Sequence, residues 1–186
     1  MLKPWNYIDC PAQSIISDKV LNYLKDHTEF LTNQNLKLWN KINTAELVHA
    51  VPEIVTWCMS YNLKIKEIAI TVWNKPVDVG LHVDELPAVA KINFPILNTK
   101  NSFNEWYTVP KELFEQVKPI RNQFGAEYYN LENIDLTQCT KIGRVELLRP
   151  VVFNSQIPHK IRMTADMQFP RIVMSIIFHH EPLYFL

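Results

Sequence analysis

Leu63-Lys64-Ile65-Lys66-Glu67-Ile68-Ala69-Ile70-Thr71-Val72-Trp73 is where the chain changes its period. Lys64, Lys66 and Glu67 interleave with Ile65, Ile68, Ile70 and Val72, and β-branched residues become frequent, so residues 63–73 read as a strand. Upstream the spacing is helical. Ile15, Ile16, Val20, Leu21, Leu24 and Phe30 predict a helix over 15–31, with Ser14 or Ser17-Asp18 as its cap. A second helix is predicted over 44–61, opened by Thr44, with Pro52 kinking or splitting it. Downstream the pattern predicts a turn over 74–78, a strand end at 80–84, and strands at 88–97, 103–109, 144–154, 159–163 and 170–180. Residues 110–124 have helical character but contain Pro119, and 128–140 favour no single state. The span 110–140 is expected to be an insertion or lid near the mouth of a site. Two helices followed by many short strands, with no helices between them, predict an α+β, mainly β domain built on a sandwich or barrel.

The 186 residues suit a single domain, with 1–62 as helical support and 63–180 as the β core. Apolar residues make up 47% and charged residues 20%, as in an ordinary soluble protein. Nineteen basic residues balance nineteen acidic ones, so no basic field marks the chain for nucleic acid. Only three glycines occur and none forms a phosphate-binding loop, which weakens kinase, ATPase and dinucleotide-binding readings. Cys10, Cys58 and Cys139 are isolated and odd in number, so they read as small apolar residues in a reducing, cytoplasmic protein. The first residues do not form a signal peptide, and no run of ~20 apolar residues predicts a membrane span.

His82-Val83-Asp84 carries the chemistry. Residues two apart on a strand point to one face, so His82 and Asp84 can share a metal. His159, after the turn at 155–158, can supply a third ligand from another strand. Two imidazoles and one carboxylate hold Fe(II) on one face and leave other positions open, and no cysteine stands nearby to suggest structural zinc. The plainer alternative is a hydrogen-bonded surface pair, with His159 in an unrelated turn. Arg171 follows His159 by twelve positions and opens an apolar strand. There a guanidinium can grip a carboxylate through two parallel hydrogen bonds. Arg162 and Lys91 are its rivals. Ser175 lies on the same face as Arg171, and Asn93 on the same face as Lys91. The alternative for such polar strand residues is a solvated face. Trp73 and Tyr107 read as core or pocket wall. His179 and His180 are adjacent, so they face opposite sides and cannot easily share one ion. His27 and His49 lie in helical segments and read as structural or exposed.

HxD, a long interval, a histidine and then an arginine together resemble the 2-oxoglutarate/Fe(II)-dependent oxygenase superfamily. The likeness covers about 63–180. Residues 88–98 (Ala88 to Asn98) resemble the strand that follows HxD in the aspartyl/asparaginyl β-hydroxylase and prolyl hydroxylase-like branches. Residues 152–159 resemble the segment that delivers the distal histidine. The chain departs at Lys91 and Asn93, where the β-hydroxylase-like strand carries Arg and His. Asp84 disfavours the halogenase variant, which has a small residue there. The resemblance implies a double-stranded β-helix (jelly roll) with supporting N-terminal helices. It implies catalytic iron on His82, Asp84 and His159, with 2-oxoglutarate as cosubstrate and O2 as oxidant. Arg171 would hold the distal carboxylate, with Lys91 in its place or Asn93 and Ser175 as further contacts. The implied reaction hydroxylates an unactivated C–H of an amino-acid side chain, free or in a peptide, or of a small molecule, releasing succinate and CO2. A cupin-like metal enzyme without 2-oxoglutarate and a non-catalytic binding domain are the other two readings.

Overall fold

The computed structural model describes residues 3–32, 40–84, 89–121 and 127–186. Twelve strands form two antiparallel six-stranded sheets. The first sheet holds β1 (Trp5–Tyr7), β2 (Asn40–Lys41), β3 (Ile65–Trp73), β5 (Ala90–Leu97), β10 (Val151–Asn154) and β12 (Arg171–Phe178). Its order is β1-β10-β5-β12-β3-β2. The second holds β4 (Val79–Val83), β6 (Ser102–Thr108), β7 (Ile120–Arg121), β8 (Glu127–Asn130), β9 (Thr140–Glu146) and β11 (His159–Met163). Its order is β7-β8-β4-β11-β6-β9. The arrangement is a β-sandwich with a few helices.

The first sheet is buried on both faces. Helices α1 (Gln13–Asp26), α3 (Thr44–Ala50) and α4 (Pro52–Ser60) cover one face. Ile16, Val20, Leu24, Leu47, Ile54 and Trp57 pack there against Ile68, Ile70, Ile92, Phe94, Met174 and Ile176. On the other face Val151, Phe153 and Val173 meet Trp106, Val145 and Leu147 of the second sheet region. Two-sided burial explains why β12 is apolar almost throughout. The 15–31 helix ends at Asp26, and a single turn, α2 (Glu29–Thr32), follows. Neither serine caps it: Ala12 stands at the cap, and Ser17 lies inside α1 with its hydroxyl donating to the Pro95 carbonyl at 2.9 Å. Pro52 splits the second helix by starting α4, where its missing N–H costs nothing. Asn43, not Thr44, caps α3 by accepting from the Glu46 N–H. Thr44 instead accepts from the Ile68 N–H and ties the helix to β3.

Two expectations need correction. Residues 144–154 are not one strand. The chain leaves the second sheet after Glu146 and enters the first at Val151, just past Pro150, which has no N–H for a ladder. The described part of the span 110–140 is built into the second sheet and its outer face rather than standing apart from them. Its described residues supply α5 (Lys111–Phe114), β7 and β8, and Phe114, Val117, Tyr129, Leu131 and Ile134 pack on Leu81, Val83 and Tyr107. Leu81 and Val83 alternate with His82, so these apolar side chains back the outer face of the second sheet, while β8 extends the sheet itself with Asn130 opposite His82. Residues 122–126 of that span, and Ala88 of the expected 88–97 strand, lie outside the described residues. The short strands β1 and β2, both at sheet edges, had no clear pattern in the sequence. Among the described residues no helix is long and apolar enough to cross a membrane.

Candidate metal centre

β4 and β11 are neighbours in register, with His82 directly opposite His159. Their ring centroids are 4.2 Å apart. Asp84 follows the end of β4, and its backbone N–H donates to the Ser155 carbonyl at 3.0 Å, which pins the HxD turn to the loop before His159. Asp84 Oδ1 lies 3.5 Å from His82 Nε2, and Oδ2 lies 3.6 Å from His159 Nε2. One ligand atom from each of the three residues falls within a 4.8 Å group.

The donor set fits a single divalent ion. His82 Nδ1 is 2.8 Å from the Gly80 carbonyl, and His159 Nδ1 is 2.8 Å from the Ile157 carbonyl. A carbonyl only accepts, so each Nδ1 carries a proton and Nε2 is the ring atom turned to the group. Such carbonyl partners also fix ring orientation at metal sites. Adjacent ligands ~2.1 Å from an octahedral ion stand about 3.0 Å apart, so small rotations would close the group on one.

Electrostatics support ligation. His159 is 2% exposed, with the Phe153 ring edge-on at 4.6 Å. Burial, with His82 beside it, lowers its pKa from 6.5 to about 3, so it is neutral at neutral pH. Burial alone would raise the Asp84 pKa, but Lys91 and the two histidines outweigh that and hold it well below the usual carboxylate range.

Lys91 is committed here: its Nζ sits 2.5 Å from Asp84 Oδ2, and 5.4 Å from the Phe153 ring centroid. It is therefore a partner of the aspartate. Asn93 and Ser175 face each other across β5 and β12, and the Ser175 hydroxyl donates to Asn93 Oδ1 at 2.8 Å. They bond to one another inside the sandwich, and neither belongs to the His–Asp–His group. Arg171 lies in the sandwich interior, 2% exposed. Its Nε donates to Ser102 Oγ at 2.8 Å, and its guanidinium lies over Trp73, 4.5 Å from the ring centroid. Burial lowers its pKa to about 9, which still leaves it charged at neutral pH. No carboxylate among the described residues pairs with it.

The remaining candidates fall away. Arg162 stands opposite Phe103, at odd spacing from His159, and is exposed. His49, His179 and His180 are exposed. His27 stacks on Tyr23 and meets Glu46 Oε1 at 3.0 Å. Tyr107 is on the outer face, its hydroxyl donating to buried Glu105. Cys58 is buried, whereas Cys10 and Cys139 are half-buried. The sequence reading passed over Ser102, the hydroxyl that holds Arg171. Its signal was the polar alternation Ser102, Asn104 along β6. No protein-family model matches the chain, and no curated protein matches it.

Proposed function

We propose that the protein is an Fe(II)- and 2-oxoglutarate-dependent oxygenase that hydroxylates an unactivated C–H of an amino-acid side chain or small molecule. One observation carries the proposal. A two-histidine, one-carboxylate group and a buried arginine with no carboxylate partner among the described residues occupy the same inter-sheet space. β6 connects them: Trp106 is opposite His159, and Ser102, four residues back on the same face, holds Arg171. A buried cation needs an anionic partner, and a guanidinium pairs with a carboxylate through two bonds. An oxo-diacid offers one end to a metal and a carboxylate to the arginine.

The strand order supports a jelly-roll reading. β3-β12-β5-β10 faces β4-β11-β6-β9, and successive strands alternate between sheets except at the β6–β9 step. Two Greek keys folded as a double-stranded β-helix would give this alternation, and we read the sandwich in that way. Iron with 2-oxoglutarate and dioxygen supplies oxidative decarboxylation and transfer of one oxygen atom to a C–H bond. The chain's part is positional. His82 and His159 present their Nε2 atoms, His159 as a neutral imidazole, Asp84 presents a carboxylate already ionised by its surroundings, and Lys91 fixes that carboxylate. Phe153 and Trp106 wall the centre with apolar surface. Arg171 orients the cosubstrate.

The test is an anaerobic titration of the Fe(II)-loaded protein with 2-oxoglutarate. The weak visible charge-transfer band of the chelate should grow to saturation, and air should then yield succinate. A protein that binds iron but develops no band would overturn the 2-oxoglutarate reading and leave a metal enzyme of another class. Failure to bind any divalent metal would overturn the whole proposal.

A further inference from the structure

Arg171 lacks a carboxylate partner among the described residues, and two further donors in the sandwich lack any partner. Asn104 is 2% exposed and its Nδ2 has no hydrogen-bond partner; Trp73 is 1% exposed and its Nε1 has none. Native interiors rarely leave such groups orphaned, because an unpaired buried donor loses its water and gains nothing. Their places are telling. Trp73 lies directly opposite Arg171 in the β3–β12 ladder. Asn104 lies on the inner face of β6, midway between Ser102, which holds Arg171, and Trp106, which is opposite His159. Asn104 thus lies between the metal group and the arginine, Trp73 lies beside the arginine, and the unfilled valences of both are N–H donors.

We propose that Asn104 and Trp73 are cosubstrate-binding residues whose N–H groups donate to the carboxylate that Arg171 grips. This rests on the oxygenase reading above. The valences balance. An ionised carboxylate has about four lone-pair positions. The guanidinium fork takes two, and the indole and the amide take the others. Trp73 therefore has two roles: its ring face lies under the guanidinium, and its N–H binds the ligand.

The probe is 2-oxoglutarate added to the Zn(II)-substituted, 15N-labelled protein, which is redox-silent and diamagnetic. The Trp73 indole N–H resonance, assigned by its loss in Trp73→Phe, should move downfield on binding. Asn104→Leu keeps the volume and removes the donor. Calorimetry should show 2-oxoglutarate binding about ten- to a hundredfold weaker, as for loss of a hydrogen bond to a charged group. The melting temperature of the ligand-free variant should stay level or rise, since an orphaned amide has been removed. A merely structural Asn104 would give the opposite pair of results, a lower melting temperature and unchanged affinity, and would overturn the proposal. If Asn104→Leu does not fold, the indole shift in the wild-type chain decides. Binding that weakens in Arg171→Lys but leaves the Trp73 indole unmoved defeats this inference alone. No 2-oxoglutarate binding by the wild-type chain defeats it together with the oxygenase reading.

Discussion

In the proposed reading His159 holds the metal and Arg171 the cosubstrate, and single substitutions separate the two roles. His159→Ala removes a buried Nε2 ligand and leaves the anchor intact. Fe(II) affinity should collapse, which competition with a chelator will measure; unchanged affinity would mean that the His–Asp–His group is not the metal site. Arg171→Lys keeps the charge and loses the fork. The guanidinium's hydrogen bonds to a carboxylate are worth on the order of 1.5–3 kcal/mol, or about ten- to a hundredfold in affinity. The 2-oxoglutarate concentration for half-maximal uncoupled succinate formation should rise by that factor, with metal affinity unchanged. An unaltered half-saturation would remove Arg171 as anchor. That His82 and Asp84 share a face could be read from spacing alone, because same-face geometry two apart on a strand is a local property. The partner of Lys91 could not. Its ammonium reaches Asp84 only because β5 and β4 lie in facing sheets, and nothing local encodes that. The Asn93–Ser175 bond is likewise set by register between strands 82 residues apart in sequence.

At the scale of elements, long strands were legible where polar and apolar residues interleave, as at the start of β3, or where a continuous apolar run is buried on both faces, as in β12. Short edge strands were not, because two or three residues carry no period. The span 110–140 misled for a related reason: its strands pair with β4 through few residues, and its apolar side chains are scattered. That layer nevertheless positions the site. Gly80 sits in β4, and a Cβ built there would lie 2.7 Å from Glu132 Cβ. The Gly80 carbonyl also accepts from His82 Nδ1. Gly80→Ala should therefore force β4 and the 127–132 segment apart. Overpacking of this kind costs about 1–3 kcal/mol. For a chain of this size that is roughly 2–12 °C in melting temperature. Metal affinity should fall too, because His82 turns with its carbonyl partner. Glu132→Gly in the same chain removes the clashing atom and should restore both. A Gly80→Ala protein as stable as wild type would show that the layer yields freely.

At the scale of the whole molecule, the site makes stability depend on acid. His159 is held neutral, its pKa lowered by burial and by His82 to about 3 against 6.5 in the open chain. Above pH 6.5 neither state binds the proton and the group contributes no linkage. Below it the unfolded chain protonates first, so metal-free stability falls as pH drops and levels off only below about 3. The loss over that window is on the order of a few kcal/mol. Asp84 acts in the same direction lower down: its depressed folded pKa stabilises the native state above the ordinary carboxylate range, and that is lost as pH falls further. His27 opposes them, since its hydrogen bond to the Tyr23 carbonyl and its pairing with Glu46 raise its pKa, but it lies on the surface. His159→Gln isolates the buried term. Urea midpoints of the metal-free wild type should drop between pH 7 and pH 5, and those of His159→Gln should stay nearly level. Bound metal should hide the slope at neutral pH, because a ligand at a hundred times its Kd adds about 2.7 kcal/mol to the folded state. That protection should fade on acidification as protons compete for the same Nε2 and carboxylate lone pairs. Equal pH slopes for wild type and His159→Gln would show that the imidazole is not held neutral by the sandwich, and that its burial beside Phe153 is not what prepares it for a metal.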